Sequence, residues 1–192
     1  SHGHYDKLSF SMYENGNEVL QDYGLSRFVN VEQKNGGGYL KENKTYAKHT
    51  IAHNTITQNE ISHFDFDFET GSKNHPEKYV FDVADENFQI VSAKEKNAYP
   101  GTEMHRTFIM IKDESFAKPF IVDINKVQSN KKNQYDLPFH YFGQIISTSF
   151  TYDVPKTLST LGDKFGYNHI YHQKKEYSKY SVCFYNRVSW NI

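Results

Sequence analysis

The feature that most constrains the fold is a succession of short runs rich in β-branched and aromatic residues, separated by turn-forming residues. Fifteen Tyr and fifteen Phe occur among 192 residues, and such side chains pack best on a pleated surface. No amphipathic helical pattern separates the runs, which favours antiparallel pairing over βαβ units. The sequence therefore predicts an all-β chain forming a large antiparallel β-sandwich.

The turn signals divide the chain into predicted elements. A hairpin is expected over residues 7–24, with alternation from Leu8 to Met12 and turn chemistry at Asn15 and Gly16. Residues 24–46 show no sustained period, which predicts a long functional loop. A helical turn is expected near residues 156–161. The other predicted strands are 50–58, 64–69, 78–83, 88–94, 106–112, 120–127 and 137–152.

Charge and hydropathy exclude several classes of partner. With 22 basic and 23 acidic residues and a net charge of -1, the chain has no overall field that would attract nucleic acid. No apolar run approaches the ~18 residues needed for a membrane span. Cys183 is the single cysteine, so no internal disulfide framework is expected.

Two histidines near the start, His2 and His4, are candidates for a functional pair. Residues two apart in an extended segment share one face, and two imidazoles combine with a carboxylate in many zinc sites. Asp22 and His53 are the candidate partners of His4. Flat hairpin pairing would place Asp22 opposite Ser9, so the metal interpretation requires a bend in the opening segment. Spacing alone also allows ordinary hydrogen-bonded histidines.

Several longer sequence motifs follow one another along the chain. They begin with His2-Gly3-His4-Tyr5-Asp6-Lys7, Gln21-Asp22-Tyr23-Gly24, Arg27-Phe28-Val29-Asn30 and Ala52-His53-Asn54-Thr55, and continue through Asn97-Ala98-Tyr99-Pro100-Gly101, Tyr135-Asp136-Leu137-Pro138 and Gly166-Tyr167-Asn168-His169. Together they closely resemble the C-terminal β-sandwich of the heparinase II/III superfamily of polysaccharide lyases. The resemblance covers about residues 1 to 172.

The resemblance implies roles for individual residues. His2 would belong to the catalytic site, while His4, Asp22 and His53 would form a structural divalent-metal site, usually zinc. The resemblance also places two loop residues near the substrate cleft. Arg27 would bind a uronate carboxylate, and Tyr39 would stack on a sugar or assist proton transfer.

The implied activity is β-elimination on an anionic uronate polysaccharide or oligosaccharide, with alginate slightly ahead of heparan sulfate. In the family an N-terminal α/α toroid forms the other wall of the cleft, so the chain alone is expected to lack lyase activity. A periplasmic or secreted location is implied as well. We interpret residues 1–173 as the family domain and residues 174–192 as an atypical tail.

Two other interpretations remain open at this point. The chain could be a non-catalytic carbohydrate-binding or structural sandwich in which a metal braces the fold. It could also be an unrelated metal-bound sandwich such as a cupin, although there the ligands should recur on strand pairs in a different order.

Overall fold

The computed structural model describes residues 3–22, 40–143, 151–175 and 183–187, and only the backbone at 173–175 and 183–187. The strands are β1 (Met12–Glu14), β2 (Asn17–Leu20), β3 (Thr57–Gln58), β4 (Glu77–Asp82), β5 (Phe88–Tyr99), β6 (Thr102–Ile111), β7 (Phe120–Ser129), β8 (Tyr135–Asp136), β9 (Ile170–Lys175) and β10 (Cys183–Arg187). One short α-helix, α1 (Phe68–Lys73), accompanies single turns at Asn43–Ala47, Thr50–Ala52, His63–Phe66 and Tyr167–His169.

The largest sheet is an antiparallel meander of four strands in the order β4-β5-β6-β7. The hairpin between β5 and β6 turns at Pro100 and Gly101, where Gly101 has φ +71°. Proline followed by a residue with positive φ suits a type II turn. The remaining described strands form two-stranded antiparallel sheets, namely β1-β2, β3-β8 and β9-β10. The predicted all-β, sandwich-like fold class is therefore confirmed.

One face of the meander supports the chain segments that build the site. Met104 on β6 is buried in a cluster with Tyr5, Ile56, Phe64 and other residues from those segments. On the same face the ring of Phe108 packs on Phe10, with their centroids 4.5 Å apart. These contacts anchor the irregular N-terminal region on a regular sheet, which is the arrangement that positions functional side chains best.

The predicted N-terminal hairpin is present but shorter than expected. Asn15 and Gly16 form its turn with φ +51° and +78°, which fits a type I′ turn. The expected strand from Leu8 to Met12 was wrong for most of its length. Leu8 has φ +62°, and the Ser9 N–H donates to Asp6 O at 3.0 Å, so the chain turns before β1 begins.

Two strand predictions after the hairpin were also wrong. Residues 50–58 form a 3₁₀ turn followed by bends and only the two residues of β3. Residues 64–69 include part of the turn at His63–Phe66 and the beginning of α1. The helix begins there because Asp67 caps it, with its carboxylate accepting from the Thr70 N–H at 2.8 Å. The Asp67 cap was a helix signal that the strand prediction overlooked.

The later part of the chain agrees only in places. Strands were correctly predicted at β4 to β7, with β5 and β6 longer than expected. Of the predicted strand 137–152, the described residues contribute one isolated bridge, from Tyr141 to Leu20. Residues 156–161 contain bends and no helical turn. Within the described ranges, no helix is both long and apolar enough to cross a membrane.

Candidate metal and active site

Three separate segments bring His4, Asp22 and His53 together. Nδ1 of His4 lies 3.3 Å from Nε2 of His53, and Nδ1 of His53 lies 2.6 Å from Oδ1 of Asp22. An ionised carboxylate can only accept, so the ring nitrogen of His53 is the donor in its contact with Asp22. The side chain of His53 is fully buried, whereas that of Asp22 is 41% exposed. The cluster is therefore closed on one side and open to solvent on the other.

The opening segment is held against residues 48–55 by hydrogen bonds near His4 and His53. The Tyr5 N–H donates to Lys48 O at 3.0 Å. Thr50 Oγ1 donates to Tyr5 O at 2.6 Å, and Thr55 Oγ1 donates to Lys7 O at 2.7 Å. Hydroxyl groups thus satisfy backbone groups that a regular strand would pair in a ladder. This explains why the segment around His53 does not form the expected strand.

Gly3 is the residue that allows the close approach of the chain just before His4. Its φ is +78°, a value that side chains other than glycine disfavour. A Cβ atom added at Gly3 would lie 3.1 Å from Cε2 of Phe68. The backbone conformation therefore favours glycine between His2 and His4, and a Cβ atom there would also force the ring of Phe68 to move by a few tenths of an ångström.

The electrostatic setting keeps His4 neutral at physiological pH. Burial and the neighbouring His53 lower the pKa of His4 from 6.5 to about 4, although the charges of Asp6 and Asp22 oppose that change. A neutral imidazole is the form that binds a metal. The geometry and the protonation state both suit a ligand role.

Asp6 is a site residue that sequence reasoning missed. Asp6, Asp22 and His53 each offer a ligand atom, and these atoms lie within 4.8 Å of one another. The sequence contained a signal for this carboxylate, because Asp6 follows His4 by two residues in the motif that opens the chain. The bend at Asp6–Ser9 that supports this arrangement is the one the metal interpretation required.

The other predicted site residues are not among those the structure describes. His2, Arg27 and Tyr39 all lie outside the described ranges. Of the predicted set, the structure thus places His4 and Asp22 each beside His53, and the metal-binding, catalytic and substrate-binding roles all stay predictions.

Comparison with known proteins gives the family. A family model described as "Heparinase II/III-like, C-terminal" matches residues 1–176, which is most of the chain. This chain belongs to the heparinase II/III-like C-terminal family. The resemblance seen in the sequence motifs is confirmed.

Two relatives of this heparinase II/III-like domain are named for an enzymatic activity. The "Exo-oligoalginate lyase" of Saccharophagus degradans is 46% identical over 171 residues, which cover 88% of this chain. The "Alginate lyase" of Stenotrophomonas maltophilia is 42% identical over 171 residues, again 88% of this chain. In both cases the match spans 23% of the relative's own length.

Proposed function

We propose that this chain is the β-sandwich part of a polysaccharide lyase that cleaves alginate or its oligosaccharides by β-elimination. The observation that carries the proposal is the convergence of His4, Asp22 and His53, which fixes the opening segment immediately after His2. Family membership and the names of the two relatives support the reaction and the substrate class. Heparan sulfate is the second substrate candidate within this family.

The reaction has one demanding step, the removal of the C5 proton next to the uronate carboxylate. The negative charge of that carboxylate opposes the developing carbanion, so a group that neutralises it lowers the barrier. A base must reach the C5 proton and an acid must protonate the departing O4. We assign neutralisation of the carboxylate or the role of the base to His2, because the family resemblance implies an active-site role for the first histidine of His2-Gly3-His4.

The residues at the cluster fit a divalent cation, and we propose zinc held by His4, Asp22 and His53. Two ligands on a tetrahedral zinc with bonds of ~2.0–2.1 Å lie ~3.4 Å apart. The nitrogen atoms of His4 and His53 are 3.3 Å apart. Asp22 would supply the carboxylate of this nitrogen and oxygen donor set by exchanging its hydrogen bond with His53 for the cation. The bound cation would brace the segment that carries His2, which is a structural contribution to catalysis.

The remaining parts of the proposal follow the family resemblance. Arg27 would bind a uronate carboxylate with two hydrogen bonds from its planar guanidinium. Tyr39 would stack on a sugar or assist proton transfer. A toroid domain would supply the opposite wall of the cleft. We also propose a periplasmic or secreted location, where polymeric alginate is accessible.

The activity is tested on the full-length protein, with oligoalginate and heparan sulfate as substrates and the ultraviolet absorbance of the unsaturated uronate as readout. His2→Ala should lower turnover of oligoalginate roughly 10²- to 10⁴-fold, the contribution expected of a proton-transfer group. His75→Ala is the matched control, because His75 is exposed and lies outside the site. A hydrolysed product without unsaturation, or a fully active His2→Ala variant, would refute the proposal.

The metal site is tested separately by elemental analysis of the purified protein. About one zinc per chain is expected in the wild type and in His75→Ala, and much less in His4→Ala and His53→Gln. Loss of the metal should also lower the thermal unfolding midpoint, since a ligand bound only to the folded state stabilises it. Equal zinc content in all four proteins would refute the assignment.

A further inference from the structure

Asn54 connects all three segments that carry the proposed metal ligands. It follows His53 directly and is fully buried. Its Nδ2 donates to Phe10 O and to Gln21 O, both at 2.9 Å, and its Oδ1 accepts from the His140 N–H at 2.7 Å. Gln21 directly precedes Asp22, and Phe10 lies in the segment that begins with His4. One amide side chain therefore uses both its donors and its acceptor to set the spacing between ligand-bearing segments.

Arg106 fixes two of these segments, the opening segment and the one that carries His53, to the main sheet. It lies on β6 and is 2% exposed. Its Nε and Nη2 donate to the two carboxylate oxygens of Asp123 at 2.9 and 2.6 Å. Its Nη1 donates to Leu8 O at 3.0 Å and also to Asn54 O. The planar guanidinium can bind a carboxylate and two carbonyls at once because its donors point in fixed directions.

Aromatic rings hold the guanidinium of Arg106 in this orientation. Its central carbon lies 4.6 Å from the centroid of Phe10 and 4.8 Å from that of Phe108. Phe10 belongs to the opening segment, and Phe108 follows Arg106 by two residues on the same face of β6. The arginine is thus packed as well as hydrogen-bonded, and little freedom remains at either contact with the ligand segments.

Charge considerations separate this arrangement from simple core packing. A buried ion pair is weak evidence for stability, because apolar residues of similar volume often stabilise as well. The Arg106–Asp123 pair leaves one edge of the guanidinium for two carbonyls, and both carbonyls belong to segments that carry ligands. The arginine thereby links the two segments to each other and to the sheet, which is what a group that orients metal ligands must do.

We propose that Asn54 and Arg106 are positioning residues that set the distances among His4, Asp22 and His53 and thereby the zinc affinity of the site. The inference rests on the metal site proposed above. Residues that orient metal ligands typically contribute 10- to 100-fold to metal affinity. Substitution at either residue should weaken zinc binding by that factor while the stoichiometry stays at one.

The test is a competitive zinc titration against a colorimetric chelator, carried out on the folded proteins with circular dichroism as a check on structure. Arg106→Lys keeps the positive charge but lacks the planar guanidinium that donates to several acceptors at once. Asn54→Ser keeps a polar group, but its side chain is too short to make all three hydrogen bonds of the asparagine. Thr102→Val is the control. Thr102 is 4% exposed and begins β6, and its hydroxyl is hydrogen-bonded to Gln58 and Ser129 rather than to Asn54 or Arg106.

The expected result is a 10- to 100-fold loss of zinc affinity in Arg106→Lys and Asn54→Ser, with the wild-type affinity kept in Thr102→Val. Wild-type affinity in both site variants would overturn the positioning role and leave the metal site itself intact. An equal loss in Thr102→Val would overturn it too, because general destabilisation would then explain the effect. A wild-type protein that binds no zinc would overturn the metal site as well. If Arg106→Lys fails to fold, Asn54→Ser decides.

Discussion

His63 should make the protein markedly less stable in mild acid. Its side chain is fully buried, and Nε2 donates to Ile56 O at 3.1 Å. Among the described residues, its Nδ1 has no hydrogen-bond partner. Protonation would therefore place a charged N–H in a pocket that cannot solvate it. Burial, and to a smaller extent the charges of His53 and Lys7, lower the pKa of His63 from 6.5 to about 3, against the opposing hydrogen bond to Ile56.

The size of the effect follows from linkage between proton binding and folding. The lowered pKa of His63 means that its stabilising contribution is complete above the unfolded value of 6.5 and is lost as the pH falls towards about 3. Each pKa unit corresponds to about 1.4 kcal/mol, so the full loss is roughly 5 kcal/mol. Between neutral pH and about pH 4.5, His63 alone should remove roughly 3 kcal/mol from the free energy of unfolding.

The assay is urea unfolding followed by circular dichroism at neutral pH and at about pH 4.5, with a chelator present so that metal binding adds no pH dependence of its own. His63→Gln keeps a donor for Ile56 O and cannot titrate. The difference in unfolding free energy between the two pH values should be smaller by roughly 3 kcal/mol in this variant than in the wild type. His75→Gln, at an exposed position, should behave as the wild type. Equal pH dependence in His63→Gln and the wild type would contradict the reasoning.

Three further outcomes are expected. Gly3→Ala should lower the free energy of unfolding by about 2 kcal/mol. The loss in Gly16→Ala should be smaller. Both glycines have φ +78°, but of the two only Gly3 has a neighbour, Phe68, that the new Cβ atom would meet. Equal losses of unfolding free energy in the two variants, measured by urea unfolding, would contradict the steric contribution of Phe68. Tyr167→Phe should cost about 1–3 kcal/mol, because the hydroxyl is buried and hydrogen-bonded, while Tyr135→Phe at an exposed position should change stability by less than about 0.5 kcal/mol. Chelation should lower the thermal midpoint of the wild type, and added zinc should restore it; a midpoint insensitive to both would count against a resident cation.

The strands of the main sheet could be predicted because their local pattern and their tertiary environment agree. On β5 and β6, alternation places Ile90 opposite Ile109, and on β7 Val122 continues the row. In such a meander each strand pairs with its sequence neighbour, so short-range signals are sufficient. The turn at Asn15 and Gly16 was predicted for the same reason, since the two residues themselves favour positive φ.

The segment around His53 could not be predicted in the same way. Ile51 and Ile56 are both buried, but the hydrogen-bonding partners of this segment come from side chains rather than from a ladder. Thr50, Asn54 and Thr55 supply those partners to residues far away in the chain. Propensity describes one segment at a time, so it cannot detect an amide that satisfies carbonyls more than thirty residues distant.

The sequence by itself determined the family, the antiparallel β class and the identities of His4, Asp22 and His53 as a candidate metal set, because these depend on residue types and their order. Tertiary structure decided how the three meet. The tertiary structure alone shows the turn at Asp6–Ser9 and the position of Asp6 near Asp22 and His53. It also shows that Arg106 is buried and donates to Leu8 O, which the sequence pattern of its strand does not indicate. The physical reason is that ligand spacing depends on three-dimensional distances between segments, and those distances are set by buried hydrogen bonds that no local pattern encodes.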